Sequence, residues 1–187
     1  RQPHYHLPIP IESVIKPKVT KVRRLEIGFR TIYPGPPARY KDVPDESLML
    51  TGDENIINVQ FIVQYKIKDA AAYLFNVFNP EKTVRDASEA AIREIIGKNN
   101  IDEALTTGKF RIQRDAGILL QRLLDSYDCG LEVVAVQLQD VHPPQQVVDA
   151  FKDVASAKED KSKFINEAEG YRNDLLPRAK GEAAQMI

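Results

Sequence analysis

Only a few side chains in this sequence have the types and spacing that catalysis or metal binding needs. His4 and His6 lie two residues apart, so an extended strand would place both on one face, a spacing that can hold a metal ion. A third ligand would have to come from far along the chain, and no cluster of carboxylates flanks the pair. We therefore predict that the two histidines do not form a metal site.

The candidate nucleophiles lack the neighbours that would activate them. Cys129 is the only cysteine and has no histidine near it in sequence, so it is predicted to be a structural or surface thiol. Ser13 and Lys16 resemble a dyad only at a spacing expected by chance. The nine glycines form neither a nucleophile elbow nor a phosphate-binding loop. We predict no catalytic residue and no cofactor, and an enzyme that uses an N-terminal histidine, Ser13 or Cys129 is the alternative hypothesis.

The composition restricts the classes of protein to which this chain can belong. The chain has 187 residues, 43% of them apolar and 28% charged, which is typical of one globular domain or a smaller domain with an extended arm. Its 26 basic and 27 acidic residues nearly cancel, which argues against a nucleic acid as partner. The longest apolar run, residues 70–75, is far shorter than the roughly 20 residues of a membrane span. Because the chain opens on Arg1 and not on methionine, we interpret it as a fragment, and any anchor or targeting segment upstream would lie outside it.

Alternation of apolar and polar residues predicts the strands. The clearest case is Ile56–Ile67, where every second residue from Ile57 is apolar, as in a strand with one buried face. A last strand is predicted over residues 131–140. Residues 19–29 are predicted to form one extended segment. The proline-rich and polar residues 34–47 are predicted to form a long loop or insertion.

Helical spacing of apolar residues predicts two amphipathic helices, over residues 80–97 and 110–127. Asn100 and Glu103 resemble a capping box for a short helical turn over residues 101–105. Helices followed by a returning strand indicate an α+β fold, in which helices back one face of a small, mainly antiparallel sheet. This head is predicted to span residues 1–142.

From residue 143 to residue 187 the pattern predicts the start of a long helical arm. A narrow apolar stripe, here called the arm seam, follows one side of it and consists of Phe151, Val154, Phe164, Ile165, Ala168, Tyr171, Leu175 and Leu176. A helix of more than thirty residues is about 45 Å or longer, so the head is too small to cover the seam. The seam therefore predicts packing against a partner helix, with a solvated surface helix as the alternative. Pro177 is expected to kink or end the helix.

Several blocks of residues together resemble a known family. They are Leu-Met-Leu-Thr-Gly-Asp-Glu-Asn at 48–55, Val-Gln-Phe-Ile-Val-Gln-Tyr at 59–65, Asp-Ala-Ser-Glu-Ala-Ala-Ile-Arg-Glu at 86–94, and the strand at 133–140 with the two prolines and the helix start that follow. The family is the SPFH or band-7 family of stomatins, prohibitins, flotillins and HflK/HflC proteins. Residues 4–12 and 165–183 are most similar to its bacterial HflK branch.

The resemblance implies a membrane-anchored scaffold without enzymatic activity. It places the chain at the bacterial inner membrane, with this domain on the periplasmic side. It implies assembly with an HflC-like paralogue into a large hetero-oligomer that regulates the membrane AAA protease FtsH. A stomatin-like organiser of lipids with another client is the alternative. The apolar residues of the opening segment, which are Tyr5, Leu7, Ile9 and Ile11, are expected to lie against lipid or at an edge of the sheet.

Overall fold

The computed structural model describes residues 15–106 and 108–185, with side chains up to residue 181. Its contacts divide the chain into two compact units, Arg1–His142 and Pro143–Ile187. The strands described in the first unit are β1 (Arg23–Ile27), β2 (Phe29–Tyr33), β3 (Arg39–Asp42), β4 (Leu48–Leu50), β5 (Ile56–Ile67) and β6 (Leu131–His142). The helices described there are α1 (Pro44–Ser47), α2 (Ala70–Phe75), α3 (Pro80–Gly97), α4 (Ile101–Leu105) and α5 (Lys109–Ser126).

Strand β5 is the centre of the larger sheet. It pairs antiparallel with β6 along one edge, where Val63 lies opposite Val136. Along its other edge it pairs antiparallel first with β4 and then with β1, where Leu25 lies opposite Val63. Every second residue of β5 from Ile57 to Ile67 is buried. The predicted strand and its buried face are therefore confirmed.

The hydrophobic core lies between this sheet and the helices α3 and α5. The two helices pack on each other, α3 also contacts β4 and β1, and α5 contacts β6. The largest fully buried side chains include Phe61 and Ile57 from the sheet, Ile92 and Ile96 from α3, and Ile112, Leu120 and Leu124 from α5. The predicted helices and the α+β fold class are confirmed. Phe110 and Tyr127, the first and last residues of the second predicted helix, are exposed.

The N-terminal strands differ from the prediction. The backbone of Gly28 has φ of +83° and divides the predicted segment into β1 and β2, which belong to different sheets. Residues 34–47, predicted as a loop, contain β3, which pairs antiparallel with β2, and α1. The loop prediction was wrong because all four residues of β3 are exposed. A strand without a buried face has no apolar alternation that would reveal it.

The start of α2 was not predicted, and the start of α4 was assigned to the wrong capping residue. Helix α2 begins after Asp69, whose Oδ1 accepts hydrogen bonds from the N–H groups of Ala71 and Ala72. Helix α4 lacks the predicted capping box, because the side chain of Asn100 makes no cap hydrogen bond. The N–H of Ile101 instead donates to Oδ1 of Asp53, at 3.1 Å. The turn before β5 thus caps a helix that comes much later in the chain.

The second unit consists, within its described residues, of a short 3-10 turn (Gln145–Val147) and the helix α6 (Val148–Gln185). At 38 residues, α6 is the long helix that the sequence predicts. It continues past Pro177, so of the two outcomes expected of this proline, a kink or the end of the helix, the second does not occur. Proline removes one backbone donor, and on an exposed helix the freed carbonyl group can bond to water, which lowers the cost of continuing.

Candidate interaction surfaces

The side chains considered for chemistry are inert or lie outside the described residues. Cys129 is fully buried, and its thiol donates to the carbonyl oxygen of Leu124 at 3.2 Å. Burial raises the pKa of this thiol, which disfavours the reactive thiolate. Cys129 is therefore a structural thiol, as predicted. His4, His6 and Ser13 lie outside the described residues.

Neither a metal cluster nor a membrane span is found in the described part of the chain. Within residues 15–106 and 108–185, histidine, cysteine and carboxylate side chains form no group of three or more that would hold a metal ion. In the same ranges no helix combines the length and the apolar content needed to cross a bilayer. Tyr5, Leu7, Ile9 and Ile11, which the sequence assigned to the lipid or the sheet edge, lie outside the described residues.

The arm seam is exposed along α6. Phe164 retains 65% of its accessible surface, and Tyr171 retains 68%. Ile165 and Ala168 lie beside Phe164 and form with it a shallow apolar face. Val154, Leu175 and Leu176 are also exposed, and Phe151 is half-buried. A helix that leaves its apolar side chains open to water in this way has surface available for another helix.

The opposite side of α6 is polar, so the helix is amphipathic. Ser162 and Asn166 lie there with Lys158 and Glu159, and Lys163 lies 4.0 Å from the carboxylate of Glu167. The seam itself is interrupted by Asp160 and Lys161, which lie next to Phe164 and Ile165. A partner helix for this seam would have to bring groups that complement these two charges.

A partly buried carboxylate fastens the β2–β3 hairpin and α1 to the rest of the head. The guanidinium group of Arg30 donates to both oxygens of Glu46, with 2.9 Å from Nη1 to Oε2. The N–H of Gly28 donates to the same oxygen at 3.0 Å, and Nη1 of Arg85 lies 3.5 Å from it. Burial by itself would raise the pKa of Glu46, but the hydrogen bonds from Arg30 and Gly28 and the two arginine charges lower it below its usual value.

The Glu46 contacts give a prediction for stability. Glu46→Gln should lower the free energy of unfolding by about 2 kcal/mol at neutral pH, since a neutral amide cannot replace a carboxylate held between two arginines. The folded-state pKa lies below the unfolded value of 4.5, so this contribution is present above pH 4.5 and is lost as the pH falls further. Urea denaturation at a series of pH values measures both effects.

An exposed glutamate provides the control. Glu94 is half-exposed and pairs only with Lys98 one helical turn away, so Glu94→Gln should change the free energy of unfolding by less than about 0.5 kcal/mol. If Glu46→Gln destabilises the protein as much at pH 3 as at pH 7, the charged network does not stabilise the hairpin.

Sequence reasoning missed one exposed aromatic pair on the head. Phe75, at the end of α2, retains 80% of its surface, and Phe78, between α2 and α3, is fully exposed. Two phenylalanines within four residues, directly before the Asn79-Pro80 helix start, were the signal in the sequence.

Comparison with known proteins agrees with this architecture. Residues 1–172 match the SPFH domain / Band 7 family. Protein HflK of Vibrio cholerae is 43% identical over 139 residues, or 74% of this chain and 35% of that protein. Protein HflK of Treponema pallidum is 41% identical over 183 residues, or 96% of this chain and 56% of that protein. The Modulator of FtsH protease HflK of Escherichia coli is 36% identical over 146 residues, or 78% of this chain and 35% of that protein. The chain thus spans between about a third and a little over half of these relatives.

Proposed function

This chain belongs to the SPFH domain / Band 7 family, and we propose that it is a scaffold of the HflK kind that regulates a membrane-bound FtsH protease. The observation that carries the proposal is the similarity to HflK proteins over up to 96% of the chain. One such relative is named a modulator of FtsH protease. A regulator of this kind acts by binding and enclosing, so it needs contact surfaces and no reactive groups.

The proposed scaffold assembles with an HflC-like paralogue into a hetero-oligomer. The exposed seam on α6 supports this, because Phe164, Ile165 and Tyr171 are open to water on a helix of 38 residues. The occupant we propose is the matching helix of the neighbouring subunit. Apolar residues along one side of both helices would bury each other and exclude water from the shared seam.

The proposed location is the bacterial inner membrane, with the head on the periplasmic side. An N-terminal anchor would hold the protein there, and Tyr5, Leu7, Ile9 and Ile11 would lie against the lipid next to it. Support comes from the similarity to HflK proteins alone. The same similarity favours FtsH as the client over the different client that a stomatin-like organiser of lipids would have.

A regulatory role without catalysis also fits the chemistry of the head. The thiol of Cys129 is buried and hydrogen-bonded to backbone, and its raised pKa keeps it protonated. Glu46, which is partly buried, has its charge neutralised by arginines. Such groups stabilise a fold and are poorly placed to attack or protonate a substrate.

Co-purification tests the proposal. The protein, tagged at its own chromosomal locus, should recover both an HflC-like protein and FtsH from membranes solubilised in mild detergent. A tagged inner-membrane protein of another family, treated in the same way, is the control for non-specific capture. Recovery of the HflC-like protein without FtsH would overturn the assignment of the client, and recovery of neither would overturn the scaffold itself.

A further inference from the structure

We propose that the head binds a phosphate-bearing anion in a basic groove beside β1. The groove has a volume of about 710 Å³ and is lined by residues 16–18 and 21–25, with Tyr65 of β5 and Glu81 of α3. Its ligand would be the phosphate group of an acidic phospholipid or a soluble phosphate ester. This inference goes beyond the scaffold function, because it concerns a ligand site on the head and does not depend on assembly.

The groove has an excess of positive charge. Among the residues that the structure describes, five cationic side chains line it, Lys16, Lys18, Lys21, Arg23 and Arg24, against one carboxylate, that of Glu81. The whole chain carries a net charge of only -1, so this excess of positive charge is local. Positive charges gathered in a concave surface raise the local potential and attract anions.

The three lysines are available to a ligand. All three are exposed, and within the described ranges none of them pairs with a carboxylate. Arg24 is different, since it lies 3.3 Å from the carboxylate of Glu26 outside the groove. As far as the described residues show, the uncompensated charge therefore comes mainly from the lysines, and like charges that line one groove favour a bound anion.

Arg23 is already held in place inside the groove. Its Nη1 donates to the hydroxyl oxygen of Tyr73 at 2.9 Å, and its guanidinium group lies 5.1 Å from the centre of the same ring. Its Nη1 also lies 3.7 Å from Oε1 of Glu81, so this arginine is partly paired within the groove. A planar guanidinium held in one orientation suits the oxygens of a phosphate group and loses little freedom on binding.

The start of α3 adds to the attraction. Glu81 lies in the first turn of this 18-residue helix and lines the groove, so the N-terminal end of α3 borders it. The partial positive charge of a helix N-terminus favours a nearby anion. Pro17, Val22 and Leu25 give the groove an apolar part as well. This mixture fits a phosphate that is attached to a larger molecule.

Two binding measurements on the chain test the proposal and identify the source of the phosphate. In the first, inorganic phosphate is titrated while backbone amide NMR shifts are followed. In the second, the protein is sedimented with vesicles of equal parts phosphatidylglycerol and phosphatidylcholine. Amide shifts confined to the groove support the site, and vesicle binding in addition identifies a lipid headgroup as the source. Amide shifts without vesicle binding identify a soluble phosphate ester, and the absence of both overturns the proposal.

Matched variants separate the groove from general surface charge. Lys16→Gln, Lys18→Gln and Lys21→Gln together should weaken binding by about tenfold or more, because each basic residue near an anionic surface strengthens binding severalfold. Lys41→Gln, Lys68→Gln and Lys98→Gln together remove three exposed charges elsewhere on the head. This control variant should change the binding affinity by less than about threefold. Equal losses for the two triple variants would overturn the site.

A variant that is expected to strengthen binding controls for loss of binding through misfolding, because a misfolded protein would not bind more tightly. Glu81→Gln removes the one carboxylate that lines the groove within the described ranges; it is 68% exposed and so contributes little to the fold. It should strengthen phosphate binding by about threefold, since one repulsive charge is gone. Unchanged or weaker binding would show that the ligand does not lie in this groove.

Discussion

Replacing Phe164 and Ile165 by glutamate should prevent the protein from assembling with neighbouring subunits. Both side chains lie on the exposed seam of α6, and packing against another helix would bury two carboxylates without partners. Each buried, unpaired charge costs several kcal/mol, which is more than a single helix–helix contact supplies. We expect the affinity between subunits to fall by at least about 100-fold. Sedimentation velocity of the detergent-solubilised complex measures the change in its size.

The polar side of the same helix offers the control. Ser162→Glu and Asn166→Glu add the same two charges opposite the seam, where lysines and glutamates already lie. Glutamate is a good helix former, so α6 should stay helical in both double variants, which circular dichroism verifies. If the seam variant assembles as well as the polar-side variant does, α6 does not pack through this seam and the proposed contact between subunits is wrong.

Gly28→Ala should destabilise the head by about 3 kcal/mol. Gly28 has φ of +83°, a conformation that is unfavourable for a residue with a Cβ atom. The added Cβ would also lie 2.9 Å from the carbonyl oxygen of Val59 in β5 and 2.9 Å from Cβ of Ser47. The central strand cannot move away without disturbing the core. Urea denaturation of the purified protein measures the loss.

The same substitution at another glycine should change the free energy of unfolding in the opposite direction. Gly117 lies within α5, and a Cβ atom there would meet only a methyl group of Val136, at an ordinary 3.8 Å. Gly117→Ala should therefore stabilise the protein by up to about 1 kcal/mol, because alanine favours the helix and restricts the unfolded chain. If both variants destabilise the head equally, a general intolerance of substitution explains the effect and the turn at Gly28 does not.

The sequence by itself determined the elements that have one polar and one apolar side. Strand β5 was predicted at its observed bounds because its buried face contacts the core at every second residue. Helices α3 and α5 were found from their helical spacing, and α6 from the sparse helical spacing of the arm seam. In each case the exposure of a residue follows its position in a regular element, so local spacing carries the information.

Only the tertiary structure decided how distant segments meet. The exposed strand β3 is defined by its pairing with β2, and the start of α4 by Asp53, which lies 48 residues before the N–H that it caps. The groove likewise brings residues 16–25 together with Tyr65 and Glu81. Hydrogen bonds and charges between such segments depend on how the chain folds back, and neither composition nor periodicity in one segment records which distant group will lie beside it.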